Sequence, residues 1–560
     1  VRQLQIYPKK IWSDYEKGKN YKSGENLYNI TARNERYYAS DQWNGVRSNG
    51  LPTPVFNFLE QLVDVKISSV MANQLTIHRR ADELSEDNET VVNAAKAFTE
   101  QDKKNWEHFK MDNLNEQLLL DSAISGLGIS YWYWDETIER GNDFRTKGDI
   151  KGELIDSINL YVSNPNECDI QKQEWIIIPL RRTIKQVKEE AKKNGIDIEI
   201  DTIKGDEETT YEAFDKAQKE QESSVTVLVK MWKENENIYF CKTTAEAVIK
   251  PKTNTELTRY PIAMMPWKPR KRFIYGTAEI THIISNQQHV NKMEAMRQLH
   301  AQLMSIPKVG VNKNMIEGFS NQIGGIIPVN AQPQENISNA IHYFQPTQIT
   351  LDVDKSIDST ITLTREFKGI NDNVIGASSP ENYSAILAQQ KAAGVPLESI
   401  KRRFHQYLED VALIWLDFYQ HKYKLARRLK TEEGEILEYT GTDYQDIYLR
   451  TSIDVGASTQ YSELISMEVL DRLRERDDIN IVQYLKRYPK NIIPEQQKLI
   501  EEKEAELGMS SQEQNSNNQQ YNQMGQLLES LSPEQQQEIL NLSPEQQQDI
   551  LTKLTIQNPM

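Results

Sequence analysis

TAEITHIISNQQHVNKMEAMRQLHAQLMS (residues 277–305) is a polar sequence with a helical period. Ile280, Ile283, Ile284, Val290, Met293, Met296, Leu299 and Leu303 recur at steps that share a helix face, with His, Gln, Asn and Lys between them. At 1.5 Å per residue such a helix is roughly 45 Å long, and Pro307 stops it. A strand-rich interval follows over 308–350, then a second helical stretch from about Asp352 to Gly369. The loop INDNVIGASS (370–379) leads into the longest helical pattern in the chain, Glu381 to about Lys430, interrupted at Gly394-Val395-Pro396. Helix, β-rich excursion, returning helix, loop and long helix make a hairpin too elongated for one compact core.

The second half of that last helix carries a stripe at steps of three or four: Leu397, Ile400, Phe404, Leu408, Val411, Trp415 and Phe418. Such a stripe is a buried face. Pro396 lacks a backbone donor and clashes with the turn before it, so a kink is expected near 392–396. Periodicity alone fits two consecutive helices of a bundle equally well.

Upstream, residues 1–50 are polar and aromatic without a clean period, and read as an arm of short helices packed on something else, a neighbouring subunit included. Pro52 and Pro54 precede an amphipathic helix of about 25 residues, with Phe56, Leu59, Val63, Ile67 and Val70 on one face. A second helix is expected from Glu89 to Ser125, closed by Gly126-Leu127-Gly128. ISYWYWDE (129–136), GELIDSINLYV (152–162) and EWIIIPL (174–180) read as strands. Thr183 caps a helix with Gln186 as reciprocal partner, and Asn194-Gly195 ends it. The acidic stretch 195–223 reads as a solvated insertion. VTVLVKMW (225–232) and NIYFCK (237–242) form a hairpin, which makes 51–270 an α+β region. Lys268, Arg270, Lys271 and Arg272 cluster in PWKPRKRFIYG; without aromatic platforms they read more readily as a solvated loop than as a phosphate contact.

Downstream, QDIYLRTSIDVGA (445–457) reads as strand and turn, followed by helices at Tyr461–Arg476, Ile479–Arg487 and from near Pro494. Past Gly508 the composition becomes low-complexity. LSPEQQQEIL (531–540) is repeated as LSPEQQQDIL (542–551), each copy with a Ser cap, a first-turn Pro and a Glu at the positive helix end. Two copies are too few for a solenoid; a helical hairpin, a docking peptide and a loosely ordered tail all fit.

Length allows roughly two to four domains, and a mean hydropathy of −0.68 suits extended assemblies with much solvated helix. No apolar run approaches the roughly 18–20 residues of a membrane span, and no secretory leader is visible. Two cysteines, Cys168 and Cys241, make no disulfide framework and point to a reducing compartment. A net charge of −16 argues against a protein that coats nucleic acid, while leaving room for one that touches DNA without gripping it. No GxxxxGK[ST] loop, HExxH or CxxC occurs. His282 and His289 lie about two turns apart, roughly 10 Å, too far to share one metal. No short carboxylate cluster suggests a two-metal nuclease, so no catalytic residue, metal or cofactor is assigned.

Tyr275-Gly276 opening a long polar helix with Gln287, Gln288 and Asn291 resembles the portal proteins of tailed bacteriophages. SIPKVGVNKNMIEGF (305–319) and GGIIPVNA (324–331) resemble their clip, and DNVIGASSPENYSA (372–385) their tunnel loop. The order of parts, over roughly 51–508, is the stronger signal. The resemblance implies an α+β, predominantly helical fold assembled as a ring. Its parts are an arm (1–50), a wing (51–270), a first stem helix (271–306), a clip (307–350) and a second stem helix (351–370). They continue with a tunnel loop (371–380), a long kinked helix returning to the wing (381–430), a crown (431–508) and a tail (509–560).

The same resemblance implies a non-enzymatic ring of about twelve copies at one capsid vertex of the virion, assembled in the host bacterial cytoplasm. Double-stranded DNA would pass through it, and its partners would be the terminase large subunit, head-to-tail adaptor, major capsid and scaffolding proteins, with no membrane. Asn371, Asn373, Val374, Ile375, Gly376 and Ser378 would form the DNA-facing loop. Gly394 and Pro396 would make the kink, and Lys308, Asn312, Lys313 and Asn314 the partner surface of the clip. Two rival classes stay open: a packaging enzyme of nuclease or terminase type, which would hydrolyse ATP or cut DNA, and a non-portal scaffold or adaptor, which would run as a monomer or dimer.

Overall fold

The structure, a computed structural model, describes residues 8–72, 75–82, 88–140, 146–196, 224–305, 308–316, 327–330, 336–344, 351–370, 395–430, 436–455 and 460–488, apart from 446 and 477, with isolated positions beside them. The chain is a mixed α+β protein that divides into two compact units, Val1–Gly456 and Ala457–Met560.

The first unit opens with helices α1 (Pro8–Gly24), α2 (Leu27–Tyr38) and α3 (Phe58–Val70), then strand β1 (Leu75–Ala81). Helices α4 (Glu89–Phe109) and α5 (Met111–Ser125) follow, then β2 (Leu127–Arg140), β3 (Thr146–Leu154), β4 (Tyr161–Val162) and β5 (Trp175–Thr183). Next come α6 (Ile184–Lys193), β6 (Ser224–Glu234), β7 (Asn237–Thr243), β8 (Val248–Asn254), β9 (Ile262–Pro266), β10 (Lys268–Arg270) and β11 (Phe273–Thr277). The unit continues through α7 (Ile284–Ser305), β12 (Lys308–Val311), β13 (Ile341–Phe344), α8 (Leu351–Phe367) and α9 (Glu398–Lys422), and ends with β14 (Arg427–Lys430), β15 (Ile436–Tyr439) and β16 (Leu449–Val455).

The strands β4-β5-β6-β7-β8 form one antiparallel sheet and β3-β2-β9 another. The β6–β7 hairpin turns on Asn235 and Glu236, both at positive φ, the turn geometry that matches strand twist. Thr183 and Gln186 make the expected capping box at the start of α6, and Gly195 beyond its end has φ +73. Both depend only on neighbours in sequence.

The expected single helix 89–125 is two. Lys110 takes φ +50 between α4 and α5 and turns the chain. The helix expected after Pro54 is shorter than its apolar pattern: it starts at Phe58, capped by Asn57, and Phe56 is exposed. The arm packs on its own chain, because the Lys22 ammonium of α1 is fully buried. It donates to the carbonyls of Ser157, Ile158 and Leu160 at 3.1, 2.7 and 2.6 Å and lies 4.0 Å from the Tyr161 ring centre.

The main core forms around α9. Every stripe residue from Leu397 to Phe418 is buried, and Trp415 meets Trp132 of β2 edge-to-face at 5.1 Å. This helix ends at Lys422 instead of continuing to 430, and β14 begins at Arg427. Strand β16 pairs with β1 from Leu75↔Val455 to Ala81↔Leu449, and Leu429, Tyr439 and Leu449 join the main core, so β14, β15 and β16 belong to the α+β region. The second unit contains α10 (Gln460–Glu475) and α11 (Ile481–Arg487). Asn480 and Gln483 form a capping box, and the Tyr484 hydroxyl donates to Asp471 at 2.6 Å. The LSPEQQQ repeats lie outside the described residues.

Candidate functional site: the paired helices and the unit they carry

Helix α7 begins later than its pattern suggests. Residues 273–277 are strand and 280–282 a 3₁₀ turn, because Gly276 turns at φ +64 with its Cα facing the Gly126 carbonyl. The polar residues of its first half are used internally. Gln287 is fully buried, donates to the Phe56 carbonyl at 2.7 Å and accepts from the Leu59 N–H at 3.3 Å. The Asn291 amide donates to Gln42 at 2.6 Å, and Gln288 donates to the Tyr37 hydroxyl at 2.6 Å. Gln287 and Asn291 anchor the helix and do not line a surface.

Past Glu294 the helix leaves the core. Residues 301–305 are all exposed, as are Met296, Leu303 and Met304. Helix α8 returns beside it. Its contacts fall from Thr364 to Asp354 as those on α7 rise from Asn286 to Arg297, so the two run antiparallel. Two large side chains of α8 face water, Leu363 and, at 85 % exposure, Phe367.

Between the helices sits a small unit with its own apolar cluster, Met315, Ile316 and Ala340 with Val311, Ile327 and Val329 against them. Strands β12 and β13 pair from Lys308↔Phe344 to Val311↔Ile341. Asn312 closes the turn after β12: its N–H donates to the Ala340 carbonyl at 3.0 Å, and its side chain accepts from the Asn314 N–H at 3.1 Å. Asn312, Lys313 and Asn314 are exposed together at this turn, and Lys308 opens β12.

The chain leaves α8 and enters α9 at one place. Gly369, at φ +74, lies against Pro396, and Ile370 is buried beside them. Pro396 occupies a 3₁₀ turn, Val395–Leu397, that opens α9. Asn371, Asn373, Val374, Ile375, Gly376, Ser378 and Gly394, together with the expected first half of the long helix, lie outside the described residues.

Beside this junction Glu279 ties three elements together. Its carboxylate accepts from Lys66 of α3 at 2.9 Å and from the Trp267 indole at 2.9 Å, and pairs with Lys368 beyond α8 at 3.1 Å. Burial alone would raise this carboxyl, but the two ammoniums and the hydrogen bonds outweigh it and hold the group at about 2. Sequence reading missed this node, because nothing in the spacing of Lys66, Glu279 and Lys368 brings them together. Among the described residues, no group of three or more His, Cys, Asp or Glu could hold a metal ion, and no helix is long and apolar enough to cross a membrane. No protein-family model and no curated protein matches the chain.

Proposed function

We propose that this chain is a subunit of a tailed-bacteriophage portal, a ring of about twelve copies at one capsid vertex. The observation that carries the reading is the antiparallel pair α7 and α8. It leaves a large α+β core, carries a small β unit with its own cluster, and presents Met296, Leu303 and Phe367 to water. A helix pair with apolar side chains on its outside has unfinished burial, and a neighbouring copy supplies the missing surface. Four strand residues on each side are too few for an independent sheet, so the small units complete one another around the ring.

In this reading the protein performs no chemistry. Double-stranded DNA moves through the ring during packaging and ejection, and backbone contacts stay weak and sequence-blind, since tight phosphate binding would stall a moving duplex. The paired helices line the channel, and the segment 371–380 approaches the DNA. The turn at Asn312, Lys313 and Asn314 offers the surface for the terminase large subunit and then the head-to-tail adaptor. Capsid and scaffolding proteins surround the ring in the virion. Negative-stain images and light scattering of the purified protein test this: a ring of several hundred kilodaltons with a central hole is expected. A monomer or dimer across concentration and salt would return the chain to the scaffold or adaptor class.

A further inference from the structure

Two basic tracts far apart in sequence, KPRKR (268–272) and KRR (401–403), meet at the junction where α8 ends and α9 begins. The guanidinium of Arg403 donates to the carbonyl of Trp267, the residue before β10, at 2.6 Å. The β10–β11 hairpin turns on Lys271 and Arg272, both exposed. Glu279 brings Lys368 to the base of this hairpin, pairing with Lys368 at 3.1 Å and accepting from the Trp267 indole at 2.9 Å. Burial and then the Lys368 and Lys268 ammoniums hold the His282 imidazole below its usual pKa. Arg402, exposed on α9, in turn lowers Arg403 after burial does.

Two carboxylates near this surface are already paired. Glu279 is shared by Lys66 and Lys368, and Glu25 stands 3.7 Å from Arg270. Glu366 and Glu398 are exposed on the flanking helices. Among the described residues, Lys268, Lys271, Arg272 and Arg402 carry no ion pair. Arg402 and Arg403 also stand in the second turn of α9, near the end where the helix dipole repels cations. Assembling these charges costs mutual repulsion, which the Glu279 and Glu25 pairs offset for Lys368 and Arg270 alone among the described residues of this surface.

We propose that the surface formed by Lys268, Lys271, Arg272, Lys368 and Arg402 is a contact for the phosphate backbone of a DNA duplex. The spread of cations over a hairpin tip and two helix ends suits a row of phosphates, each met by one charge and none by base-reading groups. Five contacts give strong salt dependence and no sequence preference. The inference rests on the portal reading only for the source of the duplex; the surface itself is a property of one chain.

Fluorescence anisotropy with a labelled random-sequence duplex, titrated at several salt concentrations, tests it on the full-length protein. Lys271→Glu with Arg402→Glu takes one cation from each tract, both on exposed side chains. Binding at low salt should fall by more than tenfold, and the log–log salt slope by about one for each cation removed. Lys271→Gln with Arg402→Gln should give an intermediate loss, and serves where the reversal lowers the unfolding temperature. Unchanged duplex binding in both variants overturns the proposal. So does retained duplex binding with lost binding of polyglutamate, which would assign the surface to an acidic protein. Light scattering on the same samples separates the two readings. Absent rings with mutation-sensitive duplex binding sink the portal and keep this surface, and intact rings with insensitive binding do the reverse.

Discussion

Gly369 stands so close to Pro396 that a methyl group built on it would lie 2.5 Å from the proline Cβ, and its φ is +74. Both facts forbid a side chain there. The residue lets α8 stop, bury Ile370 and bring the chain's departure and return points together. Gly369→Ala should destabilise the first unit by about 1–3 kcal/mol, from left-handed strain plus the clash with a rigid ring. Urea unfolding measures this, and an alanine variant as stable as the parent would show that the junction yields.

Glu279→Gln should cost about 3 kcal/mol at neutral pH, because Lys66 would remain buried without its counter-charge. The carboxyl is depressed from 4.5 to about 2, so its contribution is present above pH 4.5 and disappears as pH falls toward 2. The stability difference between parent and variant should therefore shrink in that acid window. A difference constant from pH 7 to pH 2.5 would mean that the ion pair contributes nothing.

Asp121 makes the opposite case. Burial, and then Asp156, push its carboxyl up to about 7, and burial followed by Asp156 and Asp121 does the same to Glu35 of α2. A raised carboxyl favours the fold below its ordinary pKa, and that advantage is lost as pH rises toward 7. Asp121→Asn should thus stabilise the packing of α2 on α5 at pH 8, by on the order of 1–2 kcal/mol, and leave stability at pH 4 nearly unchanged. Thermal melts at the two pH values check it; equal shifts at both would remove the titration from the account.

What could be read from sequence follows the range of the interactions. The Thr183 capping box, the α6 end and the stripe 397–418 depend on residues within a few turns, and each appears at its expected place. The break at Lys110 was not legible, since a non-glycine residue in left-handed conformation leaves no composition signal. Nor was the partner of β1. LTIHRRA looks polar, yet Arg79 is buried in a bidentate pair with Asp102 of α4, at 2.6 and 3.1 Å, and donates to the Ala412 carbonyl of α9. A charge neutralised by a distant residue is invisible to a period count. Nor were the partners of Gln287 and Asn291 legible: both are polar residues within the α7 pattern, yet both are buried and held by residues of the first 60.

If the Asn312–Asn314 turn meets a packaging partner, its charge matters and its fold does not. Lys313 is exposed, with the turn held by backbone bonds of Asn312 to Ala340, Met315 and Ile316. Lys313→Glu should leave the unfolding temperature within the range of ordinary surface changes, about 0.5 kcal/mol, and weaken pull-down of terminase or adaptor by assembled rings. Rings lost with docking retained would place the turn between neighbouring copies instead.

Phe367 gives the most direct test of the ring. At 85 % exposure it contributes almost nothing to the isolated fold, while Leu363, one turn earlier on α8, is also exposed. Burying a Phe is worth about 1.5–3 kcal/mol, and a ring repeats that gain at every junction between copies. Phe367→Ser removes the gain and leaves the chain's own packing intact. The variant should unfold, as separate chains, within about 0.5 kcal/mol of the parent. Its scattering mass at matched concentration should fall from ring to smaller species, recovering only as protein concentration rises. A variant that assembles as the parent does would show that the outside of α8 faces solvent in the ring, and the apolar faces that join copies would then lie on α7, at Met296 and Leu303.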